Sequence, residues 1–350
     1  MKKLFVTLGA VVMFCAPFAA AQKIVYKVAS VAPKQSPWDV EQKKLAQEWG
    51  EITGGDVGIQ FYDAVSQGGE EGILQKIRAT RPGQKPPLDG AVFTNIGMHM
   101  LAPETHIMTF VTPFLFRNQD EVDYVLEKCT PMFNRAVKDA GYVILGWFSV
   151  GWIYFMTKKE VRTPEALKEV RLALGGIGAD SITYTFKQAG FKTENVPADK
   201  LRQSIRSPGG VEGVFTVPMY GYATQFYKSL PYIIDAPICP IYSAFIISEK
   251  AWSQTPDRYK ERLIKAAQEA ERGFVRVQKE NDRGNIDLMV KQGSILVKPT
   301  PAEMAHWEAV FTADIKRVAE SGDSVIDAQF LGEVKKMLEE YRAAHPGAGN

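Results

Sequence analysis

The chain has 350 residues, 45% of them hydrophobic and 11% aromatic, enough to bury the core of more than one lobe. Lysine and arginine number 42 against 40 acids, and the opening segment carries Lys2 and Lys3 but no acid, so the remainder balances at 40 against 40. Without a basic excess, no nucleic-acid partner is expected.

The first residues, MKKLFVTLGAVVMFCAPFAAAQ, combine two lysines, an apolar run and Ala19-Ala20-Ala21. That is a signal peptide over residues 1–21, with cleavage expected before Gln22 and export to the periplasm. The apolar run is too short to anchor the chain in a membrane. Cys15 follows Phe14 rather than a small residue, which argues against lipidation. Cys129 and Cys239 remain. An oxidising compartment would let them pair, but a helical pattern around Cys129 and prolines around Cys239 favour two buried thiols.

Ile24–Val31 reads as a strand. Ser36-Pro37-Trp38-Asp39 opens a helix to about Ile52, with Leu45, Trp49 and Ile52 on one face. A second strand follows at Val57–Tyr62, a helix at Glu71–Ala79, a surface loop at Arg81–Pro87 and a third strand at Leu88–Thr94. Thr109–Phe116 is apolar and broken by proline, and a helix covers Asp120–Cys129.

The stretch from Gly141 to Gly178 holds strands at Val143–Phe148 and Trp152–Thr157, a short helix opened by Thr163-Pro164, and a run Val170–Leu174 ending in glycines. Alternation puts Val150, Trp152, Tyr154 and Met156 on one face and Ile153 and Phe155 on the other. Both faces are bulky, as in a strand covered on both sides. Helices at Ala179–Ala189, Ala198–Ile205 and Tyr220–Ser229 precede strands at Tyr232–Ala236 and Tyr242–Ile247. Thr255-Pro256-Asp257 starts the longest helical pattern, to about Gln292, on the order of 50 Å if unbroken; Gly273 or Gly284 could interrupt it. Thr300-Pro301-Ala302-Glu303 caps a helix to Glu320, and a last helix spans Ala328–Ala344. Strands alternating with helices at this spacing define a layered α/β fold.

Chemistry is sparse. His99, His106, His306 and His345 lie at no metal-ligand spacing. Gly175-Gly176-Ile177-Gly178 sits between a strand and a helix but fits no nucleotide fingerprint. Gly146 to Gly151 is one residue too long for a nucleophile elbow around Ser149, and no histidine is placed to serve it. No enzyme, metal or cofactor is expected.

The ordered set of segments resembles the periplasmic solute-binding subunits of TRAP (tripartite ATP-independent periplasmic) transporters of the DctP type. The likeness rests on ASVAPKQSPW, FYDAVSQGGEE, LDGAVFT, TPFLF, the whole GYVILGWFSVGWIYFMTKKEVRTPEALKEVRL stretch, VEGVFTVP, and the long helix after Ala251-Trp252. The resemblance implies a two-lobed α/β flytrap that closes on a small molecule and delivers it to a membrane permease. On that reading residues 23–148 with about 240–250 form one lobe. Residues 149–236 with about 276–345 form the other, and the 256–292 helix crosses both.

The departures from the family bear on the ligand. A gapless reading puts Ala173 where the family keeps a carboxylate-binding arginine in the strand after the Pro-initiated helix. Trp152 falls where a second basic residue is common, and Thr94 and Met98 where polar residues are. A carboxylate buried in a closed cleft needs a paired charge, which a guanidinium supplies with two parallel hydrogen bonds, so these substitutions suggest an apolar or amphipathic ligand. A rival alignment with a two-residue gap makes Arg171 the clamp and the ligand an organic acid. The residues expected around the ligand are Trp38, Phe93, Thr94, Asn95, Met98, Ser149, Trp152, Ala173, Gly175, Gly176, Thr216, Met219 and Tyr220. The partners expected are the TRAP permease subunits and, in one branch, a tetratricopeptide-repeat periplasmic protein.

Overall fold

A computed structural model describes residues 23–79, 84–173, 180–321 and 324–346. The leader over 1–21, and Gly175 and Gly176, lie outside the described residues. The strands are β1 (Ile24–Ser30), β2 (Val57–Asp63), β3 (Gly90–Thr94), β4 (Tyr142–Trp152), β5 (Tyr154–Thr157) and β6 (Leu172–Ala173). They continue with β7 (Thr193–Glu194), β8 (Gly213–Thr216), β9 (Tyr232–Ile234), β10 (Pro240–Ser248) and β11 (Ile295–Val297). The helices begin with α1 (Pro37–Thr53), α2 (Gly69–Arg78), α3 (Asn95–Leu101), α4 (Gln119–Asp139), α5 (Pro164–Lys168) and α6 (Asp180–Gln188). After them come α7 (Ala198–Arg206), α8 (Pro218–Ala223), α9 (Glu249–Trp252), α10 (Asp257–Lys291), α11 (Pro301–Ala319) and α12 (Ala328–Ala344).

Two mixed sheets result, ordered β2-β1-β3-β10-β4 and β11-β9-β5-β8-β6-β7. In the first, β1, β2 and β3 run parallel; in the second, β6, β7 and β8 do. The chain crosses from one sheet to the other through Ile153, and returns through Ile238 and Cys239. These crossings are tied together: the Ile153 amide donates to the Cys239 carbonyl, and the Ile238 amide to the Ile153 carbonyl, both at 2.9 Å. This is the two-lobed α/β arrangement expected from the sequence.

Local chemistry explains the element ends. Ser36 caps α1 by accepting from the Asp39 amide at 3.2 Å, with Pro37 at the first helical position. Thr300 and Glu303 form a reciprocal capping box at α11. All five residues of β3 are buried because helices cover both faces. Gly90 is required there: a Cβ would meet the Ile246 carbonyl oxygen at 2.2 Å.

Some elements differ from the sequence reading. β4 is one strand through Gly151, whose φ of 128° only glycine adopts easily. α4 runs past Pro131 to Asp139, since the apolar stripe of Val125, Cys129, Phe133 and Val137 continues across the proline. α10 is unbroken through Gly273 and Gly284, about 50 Å long by its 35 residues, and packs on α1, β4 and α8. β7 and β11, two and three residues long, were too short to show a strand period. The expectation that residues 276–345 belong wholly with the second sheet does not hold for α12. Phe330, Leu331, Val334 and Leu338 pack into the core under the first sheet, and Arg342 grips Glu121 of α4 with both carboxylate oxygens at 2.7 and 2.8 Å. Cys129 and Cys239 are buried thiols, and burial pushes Cys129 up to about 12.

Candidate functional site

The carboxyl ends of β1, β2 and β3 in the first sheet and of β7 and β8 in the second border one cavity of about 300 Å³. Such strand ends are where open α/β sheets leave a crevice, and the volume suits a small organic molecule. From the first lobe, Val31 and Pro33 follow β1, Ala64 and Val65 follow β2, and Thr94 and Ile96 flank the end of β3. From the second, Asn195, Val196 and Pro197 follow β7, while Val217, Met219 and Tyr220 follow β8. Val150 of the crossing strand lies at the back, and Trp38, Met100 and the first turn of α2 complete the wall.

The first turn of α2 is open. Gly68, at φ 91°, precedes it with no capping side chain, so the Glu70 and Glu71 amides have no side-chain cap. Glu70 turns inward, 8% exposed, and its Oε1 and Oε2 accept from the Thr94 amide at 2.6 Å and the Thr94 hydroxyl at 2.8 Å. Gly97 lets α3 approach: a Cβ there would stand 2.6 Å from Glu70 Oε1. Burial outweighs the bonds from Thr94 and the Gly97 backbone, and raises the Glu70 carboxyl to about 7. Across the cavity, burial also raises the Tyr220 hydroxyl, with Asp63 adding to the shift and Arg202 opposing it. Trp38 is 2% exposed with its ring 6.0 Å from Phe274, and its Nε1 finds no acceptor among the described residues.

Of the residues expected around the ligand, Trp38, Thr94, Met219 and Tyr220 line this cavity. Several others do not, for reasons of geometry. Along α3 the faces turn about 100° per residue, so Ile96 and Met100 reach the cavity while Met98 is fully buried in the first lobe's core. Phe93 is in the same core. Asn95 instead ties the start of α3 to β10 and to the turn at Ile107, donating to the Ile107 carbonyl at 3.2 Å and accepting from the Tyr242 amide at 2.8 Å. The Ser149 hydroxyl faces Gln119 at 3.4 Å. Trp152 packs on the first lobe's core, its amide held by Asp282 at 2.8 Å. Ala173 faces Leu201, Ile205 and Val214 inside the second lobe. Thr216 is buried at 1% exposure just short of the wall. The sequence reading missed Glu70 and Asn195–Pro197, although SQGGEE, with its glycines before a helix, held the signal for the first.

Arg171 does not reach this cavity. It precedes β6, at the amino ends of the parallel strands, and pairs with Glu212 at 3.4 Å. Among the described residues the wall carries Glu70, Glu71 and Asp199 but no lysine, arginine or histidine. Lys34, Asp63 and Arg202 border an adjoining recess that shares Val31, Pro33, Ala64, Val65 and Tyr220. There Arg202 donates to the Thr224 carbonyl at 2.8 Å. No group of acids, histidines and cysteines suited to a metal ion occurs among the described residues.

Two lobes wall one cavity of a size for a small solute, and comparison with known proteins identifies the family. The sequence profile of DctP, bacterial extracellular solute-binding protein family 7, matches residues 28–321. The chain belongs to that family, whose members are solute-binding proteins and not enzymes. A search of curated protein sequences gives no significant match. Among solved structures, a TRAP periplasmic solute-binding protein from Ralstonia eutropha with bound (S)-2-acetolactate has a TM-score of 0.77 and 18% identity, covering 90% of this chain and 99% of that one. An extracytoplasmic solute receptor from Bordetella pertussis binding pyroglutamic acid has 0.77 and 16%, covering 89% and 99%. A TRAP solute-binding protein from Sulfurospirillum deleyianum with bound succinate has 0.77 and 18%, covering 90% and 99%. At such identities the likeness speaks for the fold alone.

Proposed function

We propose that the chain is the periplasmic receptor of a TRAP-type transporter, capturing a small organic acid in the cavity between its lobes and presenting it to membrane permease subunits. The observation that carries this reading is the cavity itself, formed where the parallel strands of both sheets end, in a fold whose solved relatives hold acetolactate, pyroglutamate and succinate. The apolar-ligand expectation drawn from Ala173, Trp152 and Met98 is the less well supported of the two. Those three side chains lie in or against the lobe cores, so they do not report on the cavity wall. A tetratricopeptide-repeat partner gains no support from the comparisons.

The described wall is nonetheless largely apolar, with Val31, Val65, Ile96, Val150, Val217 and Met219 and no cation. The ligand that suits both observations is an acid with a substantial apolar body. The experiment is a thermal-shift panel of succinate, pyroglutamate, glucuronate and octanoate beside uncharged octanol. A binder at ~100 times its dissociation constant adds about 2.7 kcal/mol. Stabilisation by acids supports the reading; stabilisation by octanol alone reinstates a purely apolar ligand.

A further inference from the structure

An acid bound in this cavity presents a physical difficulty. Leaving water costs a carboxylate several kcal/mol, which a buried counter-charge or strong hydrogen bonds must offset. The described wall offers no counter-charge, and instead holds a second carboxylate, Glu70. Two ionised carboxylates in one apolar site repel, and such pairs resolve the conflict by sharing a proton.

We propose that Glu70 carries that proton, so that an organic acid binds as a carboxylic acid–carboxylate pair, with one proton taken up from solvent. The inference rests on the organic-acid reading above. A carboxyl group has about four lone-pair sites, and the Thr94 amide, the Thr94 hydroxyl and the Gly97 backbone occupy three. The fourth site can hold a proton and donate it to the ligand's carboxylate. No bond other than this hydrogen bond is made. On release the proton returns to solvent.

The surroundings of Glu70 leave it free to act this way. On α2 itself, Glu71 is exposed, Lys76 is bound to the Gln67 carbonyl and side chain, and Arg78 is bound to the carbonyls of Met100 and Leu101. β3 and the turn Val65–Gln67 carry no charge, and α3 presents only His99, which burial and then His106 hold towards the neutral form. Beyond the end of β2 lies Asp63, with Lys34 and Arg202 around the adjoining recess; Asp199 and Tyr220 face Glu70's side of the cavity from α7 and α8. None of these charges is among the causes of Glu70's raised carboxyl, which is due to burial.

The test is isothermal titration of succinate and octanoate, with octanol as uncharged control, at pH 6 and pH 8.5 in two buffers of different ionisation heat. With Glu70 titrating at about 7, acid affinity should fall roughly 30-fold between the two pH values. At the higher pH, heats should differ between buffers by one proton per acid bound. Glu70→Gln, neutral at every pH and able to donate, should bind the acids with no pH slope and more tightly than wild type at pH 8.5. The wild-type buffer comparison stands even where that variant fails to fold. Acid binding without a pH slope, or with a slope that persists in Glu70→Gln, overturns the proton-sharing role while leaving the organic-acid reading intact. Absence of acid binding at either pH overturns both. An acid affinity that rises with pH overturns the proton-sharing role as well, since binding would then favour ionised Glu70.

Discussion

Removing Arg171 separates two ways of holding an acid. In the clamp arrangement the guanidinium is buried against the ligand, and its loss would cost ~3–5 kcal/mol, more than a hundredfold in affinity. The structure gives it another place. Leu172 is in register with Thr193 and with Gly213, so Arg171 lies level with Lys192 and Glu212, whereas the wall begins at Asn195 after β7 and at Val217 after β8. Even the nearer of these is three residues of strand away, ~10 Å at ~3.3 Å each, further than an arginine side chain extends. Its pair with Glu212 spans 3.4 Å, with the two side chains 36% and 37% exposed, and pairs of that kind contribute ~0–1 kcal/mol. Arg171→Ala should therefore leave the dissociation constants of the acid panel within about fivefold of wild type, measured by titration calorimetry at pH 6.5. Circular dichroism should show an unaltered fold. A loss above a hundredfold in a folded variant would refute the placement of the site and restore the arginine clamp.

Other substitutions probe the frame and the wall. Arg342→Ala strips Glu121, 2% exposed in its side chain, of its charged partner and leaves it the Arg117 amide, and should cost ~3 kcal/mol near neutral pH. Burial pushes the Glu121 carboxyl up, but the Arg342 hydrogen bonds, the Arg117 amide and both charges outweigh it and hold it low. The stabilisation is therefore present above the unfolded pKa and lost as pH falls through the folded one, so the denaturation gap between wild type and variant should narrow in acid. Glu271 has the opposite sign: burial, offset by the Trp147 amide, assisted by Asp123 and opposed by Arg272, raises it to about 7. Its contribution is present at low pH and disappears as pH rises from about 4 through about 7. Glu271→Gln should thus melt higher than wild type at pH 8 and no higher at pH 5. Trp38→Phe removes an indole N–H that has no partner among the described residues, and should lower acid affinity by about tenfold or more if that group donates to the ligand, with little change in melting temperature. Unchanged affinity would remove Trp38 from the set of donors. Gly90→Ala forces a methyl against the Ile246 carbonyl oxygen and should destabilise by at least ~1–3 kcal/mol in urea titration.

The layered fold was legible because its signals are local. Ser36-Pro37 and Thr300-Pro301 fix helix starts through their own hydrogen bonds, and the apolar runs in β1, β3 and β10 have the period of covered strands. The cavity wall was only partly legible. Trp38, Thr94 and Tyr220 stand at element starts or ends, where chain order already points to a crevice. Met98 and Ala173 depend on which face of a short element turns inward, and no period can be read from the seven residues of α3 or the two of β6. Glu70 was hidden for another reason. A glutamate in a first helical turn looks like an exposed partner for the dipole, and only the approach of Thr94 and Gly97 from another element buries it. The attachment of α12 to the first lobe likewise rests on a contact between residues 121 and 342 that no local pattern announces.

The most direct measurement is a crystal structure of the protein with the acid that stabilises it most in the thermal panel. The acid should occupy the cavity beyond the ends of β1, β2, β3, β7 and β8, its carboxylate within hydrogen-bonding distance of Glu70 and its body against Val150, Val217 and Met219. A ligand bound at Arg171, or one lying outside the cavity, would contradict the account.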